Sequence, residues 1–244
     1  MSNTRFYSAE KLSIGTLIPL SISAATHATR ALRLNIGDKL KLFNGDGIDY
    51  SCELISIKKS EVIAKVLASQ VIENESPLNI TLLQGISSGD RMDYTIQKAV
   101  ELGVKAIQPI STERSVVKLN QERAQKRLDH WQNIVTSACE QSGRAFVPQI
   151  FPPISLSNWL AENLPANTTR ILLNPIGALK IAALTKPAGE IQLLIGAEGG
   201  LSQNEIDAAT SRGFQSIILG PRVLRTETAA LTAIASMQIL WGDY

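Results

Sequence analysis

A chain of 244 residues, 44% hydrophobic and only 19% charged, holds enough apolar mass for a sizeable core and leaves room for one or two domains. Its 24 basic and 22 acidic residues leave a net charge of +2, too small for a global field that gathers polyanions, so any nucleic acid has to meet a local basic patch. Two distant cysteines, Cys52 and Cys139, and two histidines, His27 and His130, argue against a structural zinc site, and no metal is expected.

The opening run, MSNTRFYSAEKLSIG, lacks the apolar stretch of a secretory signal, and no uninterrupted apolar run long enough to cross a bilayer follows. A reduced, cytoplasmic protein without membrane contact is expected. Up to about residue 70, short strand-like runs alternate with turn signals. KLKLF, NGDG and IDYSCELISI read as a hairpin turning through Asn44, Gly45, Asp46 and Gly47. Residues 61–67 alternate again, and a helix is expected only near residues 27–34. The pattern predicts a small β-barrel or β-sandwich. VIENESP, residues 71–77, mixes charge, Asn, Ser and Pro, which places a boundary there and divides the chain into domains 1–72 and 73–244.

From Asn79 the rhythm changes. NITLLQG, DRMDYTIQKAVELG, VKAIQPI and a long helix near residues 120–142 alternate apolar strands with helical patterns, which predicts a parallel α/β sheet. Met92, Ile96, Ala99 and Val100 form one apolar helix face, and Gly103 supplies the stop. In the long helix Leu128, Trp131, Val135 and Ala138 make a core stripe, whereas Arg123, Arg127 and His130 read as a solvated face. TRILLNP, EIQLLIGAEGG and FQSIILGPRVLRTETAA each run from an apolar strand into a loop, and open α/β sheets bind ligands at those carboxyl ends. Ser202 and Glu205 stand in capping-box spacing, with Gly213 closing the helix that they begin.

Neither GxGxxG nor a glycine followed by lysine occurs, which disfavours a dinucleotide enzyme or an ordinary NTPase. LLIGAEGG instead offers Gly196, Gly199 and Gly200, whose backbone can turn sharply against a ligand or simply make a tight turn ahead of Ser202, with Glu198 solvated. A second loop, LGPRVLRTETAA, also leads from a strand into a helix, so the two could wall one pocket. Thr226 or Thr228 can cap that last helix, and Arg222 and Arg225 either face anionic RNA or are ordinary loop charges.

Five motifs, DRMDYTIQKAVELGV, TERSVVKL, EQSGR, LLIGAEGGLS and ILGPRVLRTETA, with RFY, HATRALRLNIGD and FNGDG ahead of them, resemble in order the RsmE-type ribosomal RNA uridine-N3 methyltransferases. The resemblance covers nearly the whole chain. It implies an α/β fold with a C-terminal SPOUT domain that is knotted as a deep trefoil, binds the cofactor and forms a homodimer, preceded by a PUA-like β-barrel that binds RNA. Periodicity alone would not suggest a knot, since chains almost never thread themselves. One departure is Ala197, where the family usually has proline in GPEGG.

The implied activity is S-adenosylmethionine-dependent methylation of N3 of a uridine in 16S ribosomal RNA, free or in the small ribosomal subunit. By resemblance, the cofactor lies among Leu173, Leu194, Gly196, Glu198, Gly199, Gly200, Leu219, Gly220, Leu224, Arg225, Thr226, Thr228 and Ala229. Arg225 is expected to stabilise the uridine anion, with Glu198 or Glu227 as proton acceptors or as partners that position it. Arg5, Arg30, Arg33, Arg91, Arg114, Arg144 and Arg222 are candidate RNA contacts, because guanidinium pairs bidentately with phosphate. N3 lies on the Watson–Crick edge, so the target must be unpaired. Rival readings are a SPOUT enzyme acting on another RNA, such as a transfer RNA ribose, and a noncatalytic RNA-binding ribosome-assembly module.

Overall fold

The computed structural model describes residues 4–59, 61–115, 120–162, 165–176 and 179–244. Val116 to Leu119, the second half of the TERSVVKL motif, lie outside the described residues. Contacts divide the chain into two units. One contains the residues up to 75 together with 136–147, and the other holds 76–135 and 148–244. Residues 136–147, which the boundary read from sequence leaves in the second domain, pack with the first unit.

The first unit holds β1 (Arg5–Tyr7), β2 (Leu17–Pro19), α1 (Ile22–Thr26), β3 (Lys39–Phe43), β4 (Ile48–Lys58) and β5 (Glu61–Val71). These strands form one sheet in the order β1-β3-β4-β5-β2, antiparallel except for β1 beside β3. Register shifts at Ser51/Cys52 and Leu54/Ser56 are bulges that bend the long β4–β5 pair. Its inward residues close on a single core that includes Phe6, Leu42, Leu54 and Val66. One sheet around one core is the barrel-like alternative, and not the sandwich.

The hairpin turns where the sequence places it. Asn44 Oδ1 accepts from the Asp46 amide at 3.2 Å and Asp46 Oδ1 from the Ile48 amide at 3.0 Å. Gly45 and Gly47 take positive φ of 94° and 87°, which Asx turns and glycine make easy. The expected helix at 27–34 starts earlier instead, as α1 capped by Ser21 and continued by one π-helical turn, His27–Ala31.

Two sequence-derived RNA contacts are corrected here. Arg5 is 2% exposed; its Nε donates to Asp49 at 2.9 Å, Nη1 to the Cys139 carbonyl at 2.7 Å and Nη2 to the Arg144 carbonyl at 2.9 Å. Its guanidinium also stacks 3.6 Å from the Phe43 ring centre. Arg144 is likewise buried and grips Glu75, with Nη2 2.6 Å from Oε2. Both guanidinium groups are sealed in internal ion pairs and cannot reach a phosphate. Within EQSGR, Glu140 accepts from the Tyr7 amide at 2.9 Å and Arg144 holds Glu75.

The second unit contains β6 (Ile80–Gly85), α2 (Asp90–Glu101), β7 (Ala106–Ser111), the long α3 (Gln121–Ser142, shared with the first unit from Thr136), β8 (Gln149–Ile150), β9 (Ile154–Ser155) and α4 (Leu156–Ala161). Then come β10 (Thr168–Leu173), β11 (Leu179–Lys180), β12 (Glu190–Ile195), α5 (Gln203–Ser211), β13 (Gln215–Ile218) and α6 (Thr226–Trp241). The sheet is parallel throughout, in the order β11-β13-β10-β12-β6-β7-β8, with β9 also on β7. Its central strands, ITLLQG and EIQLLI, are buried almost end to end, as a sheet covered on both faces requires. The predicted face of α2 is inward, with Met92, Ile96, Ala99 and Val100 buried. Ser202 and Glu205 make both bonds of the capping box on α5. No described helix is long and apolar enough to cross a membrane.

Late in the chain, β12 enters between β10 and β6, both laid down earlier. The carboxyl ends of β10, β12 and β13 therefore open side by side, and the site lies there.

Candidate functional site

A cavity of about 730 Å³ opens at those strand ends. Leu173, Ile195 and Ile218 end the three strands, residues 196–200 form one wall, and residues 219, 220 and 222–227 with Ala229 form the opposite wall. Leu173, Gly196, Glu198, Gly199, Gly200, Leu219, Gly220, Leu224, Arg225, Thr226 and Ala229 of the expected cofactor set line it. Two do not. Leu194 is fully buried in the core with Leu83, Leu172 and Trp159, because alternation along β12 turns it to the other face. Thr228 is exposed and outside the lining, since one step along a helix rotates a side chain by about 100°.

Close backbone approach explains the glycines. A Cβ on Gly85 would lie 2.2 Å from the Ala197 amide nitrogen, and one on Gly196 would lie 2.7 Å from the Gly200 carbonyl carbon. Side chains are excluded there by backbone, which cannot yield cheaply. The turn closes through the Gly200 amide on the Ala197 carbonyl at 2.9 Å, so it forms without the family's proline.

Neither threonine caps α6. Arg225 holds the N-cap position, with no side-chain capping bond. Thr226 is buried and donates to the Gly196 carbonyl at 2.6 Å while accepting from Gln84 Nε2 at 2.9 Å. This chain ties β6, the glycine turn and α6 together under the cavity. Gln84 carries no catalytic motif, and only its place at the end of a strand hinted at it. Asn174 was equally legible by that rule: it follows β10, lines the cavity and accepts from the Ile176 amide at 3.1 Å in an Asx turn.

The rim carries Arg91, Arg114, Arg222 and Arg225 against Glu198 and Glu227. Arg114 Nη1 donates to the Gly199 carbonyl at 3.2 Å. Arg222 and Arg225 are exposed and make no side-chain bond or ion pair with any described residue. Arg91, its side chain 41% exposed, pairs with the rim carboxylates, with Nη1 3.0 Å from Glu198 Oε1 and Nε 4.0 Å from Glu227 Oε1. Partial burial pushes the Glu198 carboxyl up. The opposing pull is stronger: the Ser88 amide and hydroxyl, at 2.8 and 2.7 Å, and Arg91 hold it below its ordinary range. All three donors meet on its Oε1. Glu227 Oε2, in contrast, is buried and has no partner among the described residues. Arg30 and Arg33 are exposed in the first unit, and Arg33 takes a positive φ of 55°.

The geometry offers an apolar-walled chamber with backbone polar groups, within the about 300–1,000 Å³ usual for small-molecule sites, and a cationic mouth suited to a polyanion.

Residues 74–238 match the family described as RNA methyltransferase domain, and residues 23–67 the RNA methyltransferase PUA domain. The chain is 38% identical over 239 residues to a ribosomal RNA small subunit methyltransferase E of Buchnera aphidicola from Schizaphis graminum, covering 98% of this chain and 97% of the relative. It is similar to the crystal structure of a ribosomal RNA small subunit methyltransferase E from Neisseria gonorrhoeae bound to S-adenosyl methionine, with a TM-score of 0.92, 45% identity and 99% of each chain covered. A Legionella pneumophila protein solved with the cofactor SAM gives a TM-score of 0.95 at 37% identity over 100% of both chains.

Proposed function

Because the chain belongs to the RNA methyltransferase family of ribosomal RNA small subunit methyltransferase E, we propose that it transfers a methyl group from S-adenosylmethionine to N3 of a uridine in 16S ribosomal RNA. The observation that carries this reading is the chamber between the two turns, closed underneath by Thr226 on Gly196 and rimmed by arginines.

The chamber fits the cofactor on its own terms. Its volume suits an adenosine with an amino-acid tail, Leu173, Leu219 and Leu224 supply apolar wall, and the backbone of Gly196, Gly199, Gly200 and Gly220 approaches without side chains. Glu198, Thr226 and Ala229 complete the proposed holding set. When bound, S-adenosylmethionine supplies a methyl group already activated on a sulfonium.

What remains for the protein is to orient the base and remove the N3 proton. Arg225, exposed at the mouth, stabilises the negative charge that develops on the uracil ring. Glu227, whose side chain keeps 15% of its surface open at the cavity, accepts the proton, and Glu198 holds the rim in place. Arg30 and Arg33 of a PUA-like RNA-binding domain, residues 1–72, join Arg114 and Arg222 of the methyltransferase domain, residues 73–244, in contacting phosphates. A deep trefoil knot in the methyltransferase domain, a homodimer and a cytoplasmic location complete the proposal.

Nucleoside analysis of 16S RNA, offered free and as small subunits with S-adenosylmethionine, tests it. N3-methyluridine is the expected product. Methyl groups on ribose, on another base, or on none would refute the reading.

A further inference from the structure

We propose that Arg91 is a positioning residue for the proton acceptor Glu227 and not a contact to the RNA backbone; this deepens the function above and rests on it. Arg91 stands in the first turn of α2, within the GDRMD motif, and borders the cavity. Nη1 donates to Glu198 Oε1 at 3.0 Å, and the same oxygen takes the Ser88 amide at 2.8 Å and the Ser88 hydroxyl at 2.7 Å. Three donors on one carboxylate oxygen make Glu198 an anchor. Arg91 keeps 41% of its side chain exposed, yet its guanidinium is aimed along the two rim carboxylates.

Its Nε edge then lies 4.0 Å from Glu227 Oε1, which leaves Oε2 as the oxygen without a partner among the described residues. Oε2 is closed off, so the donor of the ring meets the part of the Glu227 side chain, 15% of its surface, that opens on the cavity. Uracil N3 carries a proton where cytosine N3 carries a lone pair. The Glu227 carboxylate therefore accepts from the first and repels the second. In the step that follows, an O–H bond forms on Glu227 as the N3–H bond breaks. The bonding pair stays on the ring as the anion's charge beside Arg225, and the carboxylic acid later releases its proton to water.

The test is the pH dependence of initial rates for Arg91→Ala, Arg91→Lys and Glu198→Gln, with varied small subunits and saturating S-adenosylmethionine. Cofactor calorimetry and thermal melting run alongside. Arg91→Ala is expected to lower kcat by about 100-fold, with the RNA KM and cofactor Kd within about threefold of the parent. Its rate should climb about tenfold per pH unit, since hydroxide then replaces the positioned acceptor. Arg91→Lys should recover about tenfold of the loss, and Glu198→Gln should move the profile in the same direction. If Arg91→Ala does not fold, the other two variants carry the test. A raised RNA KM with parental kcat would make Arg91 a phosphate contact and overturn the proposal, as would a parental pH profile. A parent protein that binds no cofactor, or leaves N3 unmethylated, would overturn the underlying function as well.

Discussion

Two clusters of arginine and carboxylate, built from the same residue types, have opposite characters. In the first unit Arg5 directs each guanidinium nitrogen at Asp49 or at the Cys139 and Arg144 carbonyls, and Arg144 closes on Glu75. At the rim of the second unit, Arg222 and Arg225 have no side-chain partner among the described residues, and Glu227 keeps one unpaired oxygen. The first cluster is complete in itself and holds structure. The second is incomplete without a ligand. Exposure at the end of the sheet, and not residue type or motif membership, separates the two clusters.

The sharpest break in this contrast comes from opening the sealed cluster. Arg5→Ala leaves Asp49, which is 4% exposed, with the half-exposed Lys41 at 3.3 Å as its remaining ion-pair partner and takes the donor from the Cys139 and Arg144 carbonyls, and should lower unfolding free energy by about 3 kcal/mol in denaturant titrations. Cofactor affinity should stay parental. A loss below about 1 kcal/mol would mean that the cluster is not the framework described.

At the open cluster, Arg225→Ala should do the reverse. Methyl transfer should fall by about 100-fold or more, while stability stays within about 0.5 kcal/mol. Purified small subunits with labelled cofactor, and a denaturant melt, measure the two arms. Between these extremes lies Thr226, which is sealed like Arg5 yet sits under the site. Thr226→Val takes its donor from the Gly196 carbonyl and leaves Gln84 Nε2 only the Gly85 carbonyl at 3.1 Å, and should cost about 1–3 kcal/mol in the same melt, with Thr226→Ser near parental.

The smallest effect concerns pH. Glu198 is held below the ordinary glutamate value of 4.5, so its bonds contribute stability above that value, and the contribution is lost as pH falls through the lowered one. Melting temperatures across the acid range should therefore fall less steeply for Glu198→Gln than for the parent. Parallel curves would show that the Ser88 and Arg91 bonds are not holding the carboxylate.

Local elements were legible and their assembly was not. The turn at 44–47, the inward face of α2 and the Ser202 capping box each depend on residues within a few positions of one another, and their spacing declares them. The entry of β12 between β10 and β6 depends on pairing across more than 100 residues, as in Ile191 beside Ile80, and no periodicity carries that. Both loops of the site were visible because each follows an apolar strand. Leu194 was misplaced because the parity of its face in a strand buried on both sides cannot be read from an unbroken apolar run. Arg5 and Arg144 were misread for a related reason: an arginine's partners here include carbonyls of Cys139 and Arg144 and the carboxylates of Asp49 and Glu75, distant in sequence.

Calorimetric titration of S-adenosylmethionine into the parent protein and Gly196→Ala addresses the central claim that the two turns form one cofactor chamber. The added methyl would meet the Gly200 backbone at 2.7 Å and spread the turn. Binding of one cofactor per chain with a roughly micromolar Kd, weakened at least about tenfold in the variant, is the predicted result. Equal affinity in both proteins, or no heat in the parent, would contradict it.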